Sequence, residues 1–189
     1  MTLEIERLRR ETARDHEAVE GTIPLMDPGL KIEEYIACLQ KIRGVVAEWE
    51  ETTILQAPGW MRGLLVARQR KQLLERDLNW FNVTTGSVER PLLPIASDEA
   101  SLLGLMYVME GSTLGGQLIA RRVEQTLGLK AGEGNAYFCG HGQQTGTMWK
   151  EFCEVLRTRV PDRDSEVVIR AAKEMFRVFG SWMDRKDDS

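Results

Sequence analysis

The sequence predicts an all-α bundle folded as one domain. Three observations carry that expectation. Apolar residues recur at three- and four-residue spacing through six separate segments, which is the period of helices with one buried face. No segment shows the two-residue alternation of a half-buried strand. A chain of 189 residues, 42% hydrophobic and 29% charged, also has the length and composition for a single sizeable core.

Composition narrows the function as well. No apolar run approaches the roughly 18 residues of a membrane span. The segment MTLEIERLRRETARDHEAVE alternates charges and contains no apolar signal core, which predicts a cytoplasmic protein with no membrane partner. A net charge of −4 and a pI near 5.4, with no basic stripe interleaved with aromatics, argue against nucleic acid as a partner. Cys38, Cys139 and Cys153 are odd in number and lack CxxC spacing. They predict reduced, mostly buried thiols, not a disulfide framework or a zinc site.

The first helix is expected from about Leu3 to Glu20, with Thr2 as N-cap and Gly21 as stop. Its inward stripe is Ile5, Leu8, Thr12, His16 and Val19. After a turn containing Pro24, Pro28 and Gly29, a second helix runs from Ile32 to Gln56, with Tyr35, Ile36, Leu39, Ile42, Val46 and Trp49 inward. Pro58-Gly59 ends it. A third, basic helix from Met61 to Leu78 turns Leu64, Leu65, Leu74 and Leu78 inward. It leaves Arg62, Arg68, Arg70 and Lys71 as a solvated face or a docking patch for an acidic reductase. Residues 82–97, with Pro91 and Pro94, read as a surface loop. Ser97 is the expected N-cap of a long helix that Gly128 ends. A glycine-rich loop carrying Tyr137, Phe138 and His141 follows. Two further helices close the chain, Thr145 to Val160 and Asp164 to Met183.

Within the long helix, Gly111, Gly115 and Gly116 break the pattern. Each mid-helix glycine costs roughly 0.5–1 kcal/mol against alanine. Two readings offset that cost: tight packing through a small-residue face, or a flat ligand lying against bare backbone. His16 is similarly open between two roles. It lies on the apolar stripe of the first helix with Glu20 one turn on, so the carboxylate can fix its ring while Nε2 binds a metal, or it is a hydrogen-bonded core histidine. His141 reads as a surface or loop-bracing residue. Di-iron Glu-x-x-His pairs, zinc helices, P-loops and nucleophile elbows are all absent from the sequence. Met106, Met109, Met148 and Met175 read as core filler or pocket lining. A buried imidazole, a glycine-interrupted helix and the cationic pair Lys173 and Arg177 together suit a flat, dianionic metal macrocycle.

These residues resemble the heme oxygenase family, in particular the bacterial biliverdin-producing enzymes, including those encoded beside bacteriophytochromes. LRRETARDHEAVE (Leu8 to Glu20) is similar to the proximal-helix motif. The resemblance implies His16 as axial ligand of heme b, Glu20 as its carboxylate partner, and Thr12 beside them. YVMEGSTLGGQLIARRV (Tyr107 to Val123) is similar to the distal-helix motif, with Gly111, Gly115 and Gly116 at its flexible glycines. RAAKEMFRVF (Arg170 to Phe179) is similar to the C-terminal helix, which implies Lys173 and Arg177 as propionate-binding cations and Phe176 as a pocket aromatic. The likeness spans nearly the whole chain and implies one heme oxygenase-like domain over 1–189.

One position departs from the pattern. Where the animal enzymes carry an aspartate that organises proton-delivering water, this chain has Ser112, which puts the proton route in question. The resemblance implies heme as both cofactor and substrate, opened at a meso carbon by O2. An external ferredoxin or NAD(P)H-dependent reductase supplies the electrons, and the products are biliverdin, carbon monoxide and ferrous iron. Two rivals stay open: a heme-binding or heme-delivery protein on the same fold, and a thiaminase-like hydrolase of related helical architecture.

Overall fold

The structure is a computed structural model and describes residues 3–87 and 89–185. Among these residues the chain forms eight α-helices and no strand. They are α1 (Ile5–Thr22), α2 (Ile32–Gln56), α3 (Gly59–Val66), α4 (Lys71–Trp80), α5 (Glu99–Leu127), α6 (Ala136–Cys139), α7 (Thr145–Arg159) and α8 (Ser165–Asp184). The all-α expectation therefore holds. Thr2, expected as the first N-cap, lies outside the described residues, and α1 continues through Gly21 to Thr22.

The bundle is built around α5. Residues 101–110 are all buried, so its first half is wrapped on every side. It packs mainly along α8, and also against α6 and α7, while α1 packs on the other flank of α8. The α5–α8 crossing is made close by Gly104, where a Cβ would run into the Val168 carbonyl and Ala171. Val168, Ala172, Met175 and Trp182 of α8 are buried at three- and four-residue spacing, and Tyr35, Leu39, Ile42, Val46 and Trp49 of α2 are buried along their expected stripe. All three cysteines are free. No described helix is long and apolar enough to cross a membrane.

Three expectations need correction. The long helix begins one residue later than expected: Asp98, not Ser97, is the N-cap, with its Oδ1 accepting the Ser101 N–H at 2.8 Å while Ser101 Oγ accepts the Asp98 N–H at 3.0 Å. The reciprocal pair satisfies two orphan groups at once. Gly128 ends α5 as expected, in the left-handed region at φ 70°. The single helix expected over 61–78 is two helices, because Glu50 reaches across from α2. Its Oε1 accepts the backbone N–H groups of Arg70 (2.5 Å) and Lys71 (3.0 Å) and so caps a fresh start at α4. The expected interruption of α5 at its glycines does not occur either, since helix runs unbroken from Glu99 to Leu127.

Candidate functional site

The first half of α5 is core and the second half is half solvent-facing. From Gly111 onward one stripe of the helix, Gly111, Leu114, Gly115 and Leu118, has the i, i+3, i+4, i+7 spacing of a buried face. Yet Leu114 is 46% and Leu118 56% exposed. Exposed leucines beside glycines make an apolar floor with no protein packed on it. A Cβ on Gly115 would meet nothing within 4 Å, and one on Gly111 only the Trp149 ring at 3.9 Å. Gly116 is different: a Cβ there would sit 2.7 Å from the Phe138 carbonyl oxygen, so this glycine serves the packing of α6 on α5. The two readings of the glycines thus divide among them.

Facing this floor is α1. Its stripe is buried at Leu8 and Thr12 and then opens. The Tyr107 phenol of α5 lies within hydrogen-bonding reach of Thr12, whose Oγ1 donates to the Leu8 carbonyl at 2.9 Å. Burial pushes the Tyr107 hydroxyl up from its ordinary pKa, and the Thr12 contact offsets part of that. Beyond this junction His16 and Gly111 each lie four residues further along their helices, one turn in each case. At the far end the Arg122 Nε–H donates to the Met26 carbonyl at 3.3 Å. Between these two contacts, from Tyr107 to Arg122, α5 advances about 22 Å, and the space along α1 over that length is the candidate cleft for a flat macrocycle.

His16 is not the core histidine its stripe suggested. Its side chain is 51% exposed, because the stripe runs past the Thr12–Tyr107 contact to where α5 no longer covers it. Glu20 Oε2 stands 3.7 Å from Nδ1, too long for a direct hydrogen bond but near enough for the carboxylate to face the ring electrostatically. The Phe176 ring meets His16 edge-on, with centroids 5.6 Å apart and planes at 89°. These contacts fix the imidazole with Nε2 away from Glu20. Lys173, one turn before Arg177 on α8, pairs with Glu11 of α1 at 3.6 Å, and Arg177 is exposed. The structure therefore brings His16, Glu20 and Phe176 together, with Lys173 on the neighbouring α8 face. It sets Gly111, Ser112 and Gly115 on the opposite helix. The donor set fits a heme: one imidazole, an open apolar face, and cations on α8 for the carboxylates.

Several residues behind α5 escaped the sequence reading. Arg68 and Arg70 were expected in solvent and are buried. Arg68 Nε donates to Glu110 Oε2 at 2.9 Å, in a pair whose side chains are 5% and 8% exposed. Arg70 Nη2 donates to the Met109 carbonyl (3.0 Å) and to Ser112 Oγ (3.2 Å), and its guanidinium lies 4.8 Å over the Tyr137 ring. Nothing local marks either arginine as buried, because Glu110, Met148 and Met109, which accept their hydrogen bonds, lie 42, 80 and 39 residues away. Met106, Met109 and Met175 are buried core, as the plainer reading had it. A partly open cavity of about 20 Å³, lined by Trp49, Glu50, Arg70 and Glu110 among others, has room for a single water.

A family model described as heme oxygenase matches residues 4–185. The heme oxygenase of Xanthomonas campestris pv. campestris (strain 8004) is 29% identical over 153 residues, covering 78% of this chain and 87% of that protein. The NO- and CO-bound heme oxygenase of Neisseria meningitidis superposes with a TM-score of 0.74 at 21% identity, over 97% of this chain and 94% of that one. Heme oxygenase-1 of the cyanobacterium Synechocystis sp. PCC6803, in complex with heme, gives a TM-score of 0.70 at 15% identity, over 95% and 90%. These two structures share the fold of this chain.

Proposed function

The chain belongs to the heme oxygenase family, and on that premise we propose that it opens heme at a meso carbon, using O2 and electrons from an external ferredoxin or NAD(P)H-dependent reductase, to give biliverdin, carbon monoxide and ferrous iron. The observation that carries the proposal is the pairing of a half-exposed, edge-braced His16 with an unpacked apolar floor across the cleft. Three free thiols favour a reducing, cytoplasmic setting.

Heme, when bound, supplies the iron that activates dioxygen and the carbon that is oxidised. The rest falls to the protein. His16 Nε2 would hold the iron, while the Glu20 carboxylate, 3.7 Å from Nδ1, would orient the ring. Phe176 blocks rotation of the imidazole from the side. Bare backbone at Gly111 and Gly115 would let α5 lie close against one face of a flat ring. Leu114 and Leu118 exclude water from that face. Lys173 and Arg177 would meet the heme carboxylates as charge-assisted donors and so orient the ring.

The test is direct. Hemin is added, then a reductant system, and the released pigment is identified. Biliverdin from wild type, with loss of the histidine-ligated absorption spectrum and of turnover in His16→Ala, is the expected result. An unchanged spectrum and yield in that variant would reject His16 as ligand. Tight hemin binding without pigment would favour a heme-delivery role on the same fold.

A further inference from the structure

His141 is the histidine that the reaction above leaves unused. Its Nε2 is buried and meets no protein hydrogen-bond partner, and four residues on Thr145 Oγ1, on a side chain only 3% exposed, is in the same position. Buried polar atoms are almost always partnered, by ordered water where protein offers nothing. Two such atoms, one in the loop and one on the first residue of α7, mark a place suited to ordered water.

Three contacts locate that loop. The Phe138 carbonyl abuts Gly116, Gln117 Nε2 donates to the Gly142 carbonyl at 3.0 Å, and the Tyr137 ring lies under Arg70. The loop is therefore pinned to α5 on the turn that follows Ser112, and to the arginine that hydrogen-bonds Ser112. Ser112 itself has little to give. Its one hydroxyl proton goes to the Met109 carbonyl at 2.7 Å and one lone pair takes the Arg70 N–H. What remains toward the cleft is an acceptor, so in this arrangement the serine has no proton to donate. A proton for the dioxygen face must come from elsewhere.

Two charges reach His141, those of Arg70 and Arg68, and each arginine has carboxylate partners of its own. Arg68 and Arg70 come from the turn after α3. Glu110 of α5 and Glu151 of α7 pair with Arg68 at 2.9 and 3.5 Å, and Glu50 of α2 accepts the Arg70 backbone N–H. Burial first, then the Arg70 and Arg68 charges, push the imidazole below its ordinary pKa, so the ring stays neutral and Nε2 or Nδ1 is free to accept.

We propose that His141 is the positioning residue for proton delivery at this site: with Thr145 it holds ordered water against Arg70, joining the Ser112 side of the cleft to the loop surface. The inference rests on the ring-opening reading. Its step moves one proton and no electrons: water held in the loop passes a proton toward the cleft and is reprotonated from solvent.

Two variants, His141→Gln and His141→Phe, test it alongside wild type. Both should bind hemin with unchanged affinity and absorption spectrum. The Phe variant should form biliverdin about a hundredfold more slowly with a displaced pH profile, the lower end of what a lost proton-transfer group costs. Gln, which can still hold water, should keep most of the rate. A readout without heme is proton NMR of His16→Ala, in which His141 is the sole imidazole. Its titration should fall below that of an exposed histidine. Wild-type rate and pH profile in the Phe variant, or an ordinary titration, overturn the proposal. Hemin binding by wild type with no ring opening overturns the functional reading itself, and with it this role, while the NMR titration still reports on the loop.

Discussion

Glu110 shows how much hangs on a single buried partner. Its carboxylate receives Arg68 Nε, and both side chains are almost wholly out of solvent. Glu110→Ala leaves a guanidinium buried without its counter-charge, so a loss of about 3–5 kcal/mol is expected from urea unfolding. A loss below about 1 kcal/mol would mean that Glu151, the second carboxylate on Arg68, suffices. His141 carries a pH dependence of the opposite origin. The unfolded imidazole takes up a proton near pH 6.5, but the folded ring, desolvated and facing Arg70, resists it until lower pH. Stability is therefore complete above about pH 6.5 and falls as pH drops through the folded value. Urea midpoints at about pH 7.5 and 5.5 should differ less in His141→Gln than in wild type, and equal differences would discount the burial of the ring. Neither residue was legible beforehand. His16 and Glu20 are neighbours because four residues make a turn, and a sequence states that outright. Arg68 and Arg70 are buried only because Glu110 and Ser112 of a distant helix turn up beside them.

Among the helices the same distinction holds. α2, α7 and α8 follow from the spacing of their apolar residues, since one long face packs against one neighbour. The α3–α4 break does not follow, because the carboxylate that caps α4 belongs to Glu50 on α2. α5 is legible in its length but not in its division of labour. Its glycines look alike in sequence, yet Gly116 accommodates a carbonyl and Gly115 borders open space. Alanine substitutions should separate them. In the heme-free protein, Gly115→Ala should gain about 0.5–1 kcal/mol from helix propensity alone, then weaken hemin binding or slow turnover by lifting α5 off the ring. Gly116→Ala should lose about 1–3 kcal/mol by forcing α6 away. Thermal melts of the two variants without hemin give the comparison. If Gly115→Ala melts lower than wild type, the floor of the cleft is packed in solution and the site as described is closed.

The molecule as a whole is a scaffold in which α8 holds α1 and α5 apart. Both helices pack on it, and they meet each other at the Thr12–Tyr107 contact, where the cleft begins. Much of the second half of α5 and the outer turns of α1 consequently lack a protein partner, and a ligand that fills the cleft replaces what the fold leaves out. Such a ligand stabilises by mass action. Hemin at a hundred times its Kd adds about 2.7 kcal/mol, which in a domain of this size raises Tm by about 5–11 °C. His16→Ala, having lost the iron bond, should show a much smaller rise at the same hemin concentration. Lys173→Ala with Arg177→Ala should show an intermediate one. The cations act through solvent-screened charge, so raising salt from about 50 mM to about 500 mM should cut the wild-type rise and leave the double variant nearly unchanged. The two sets of melts separate the iron bond from the carboxylate contacts. Equal shifts in wild type and His16→Ala would place the macrocycle somewhere other than between α1 and α5.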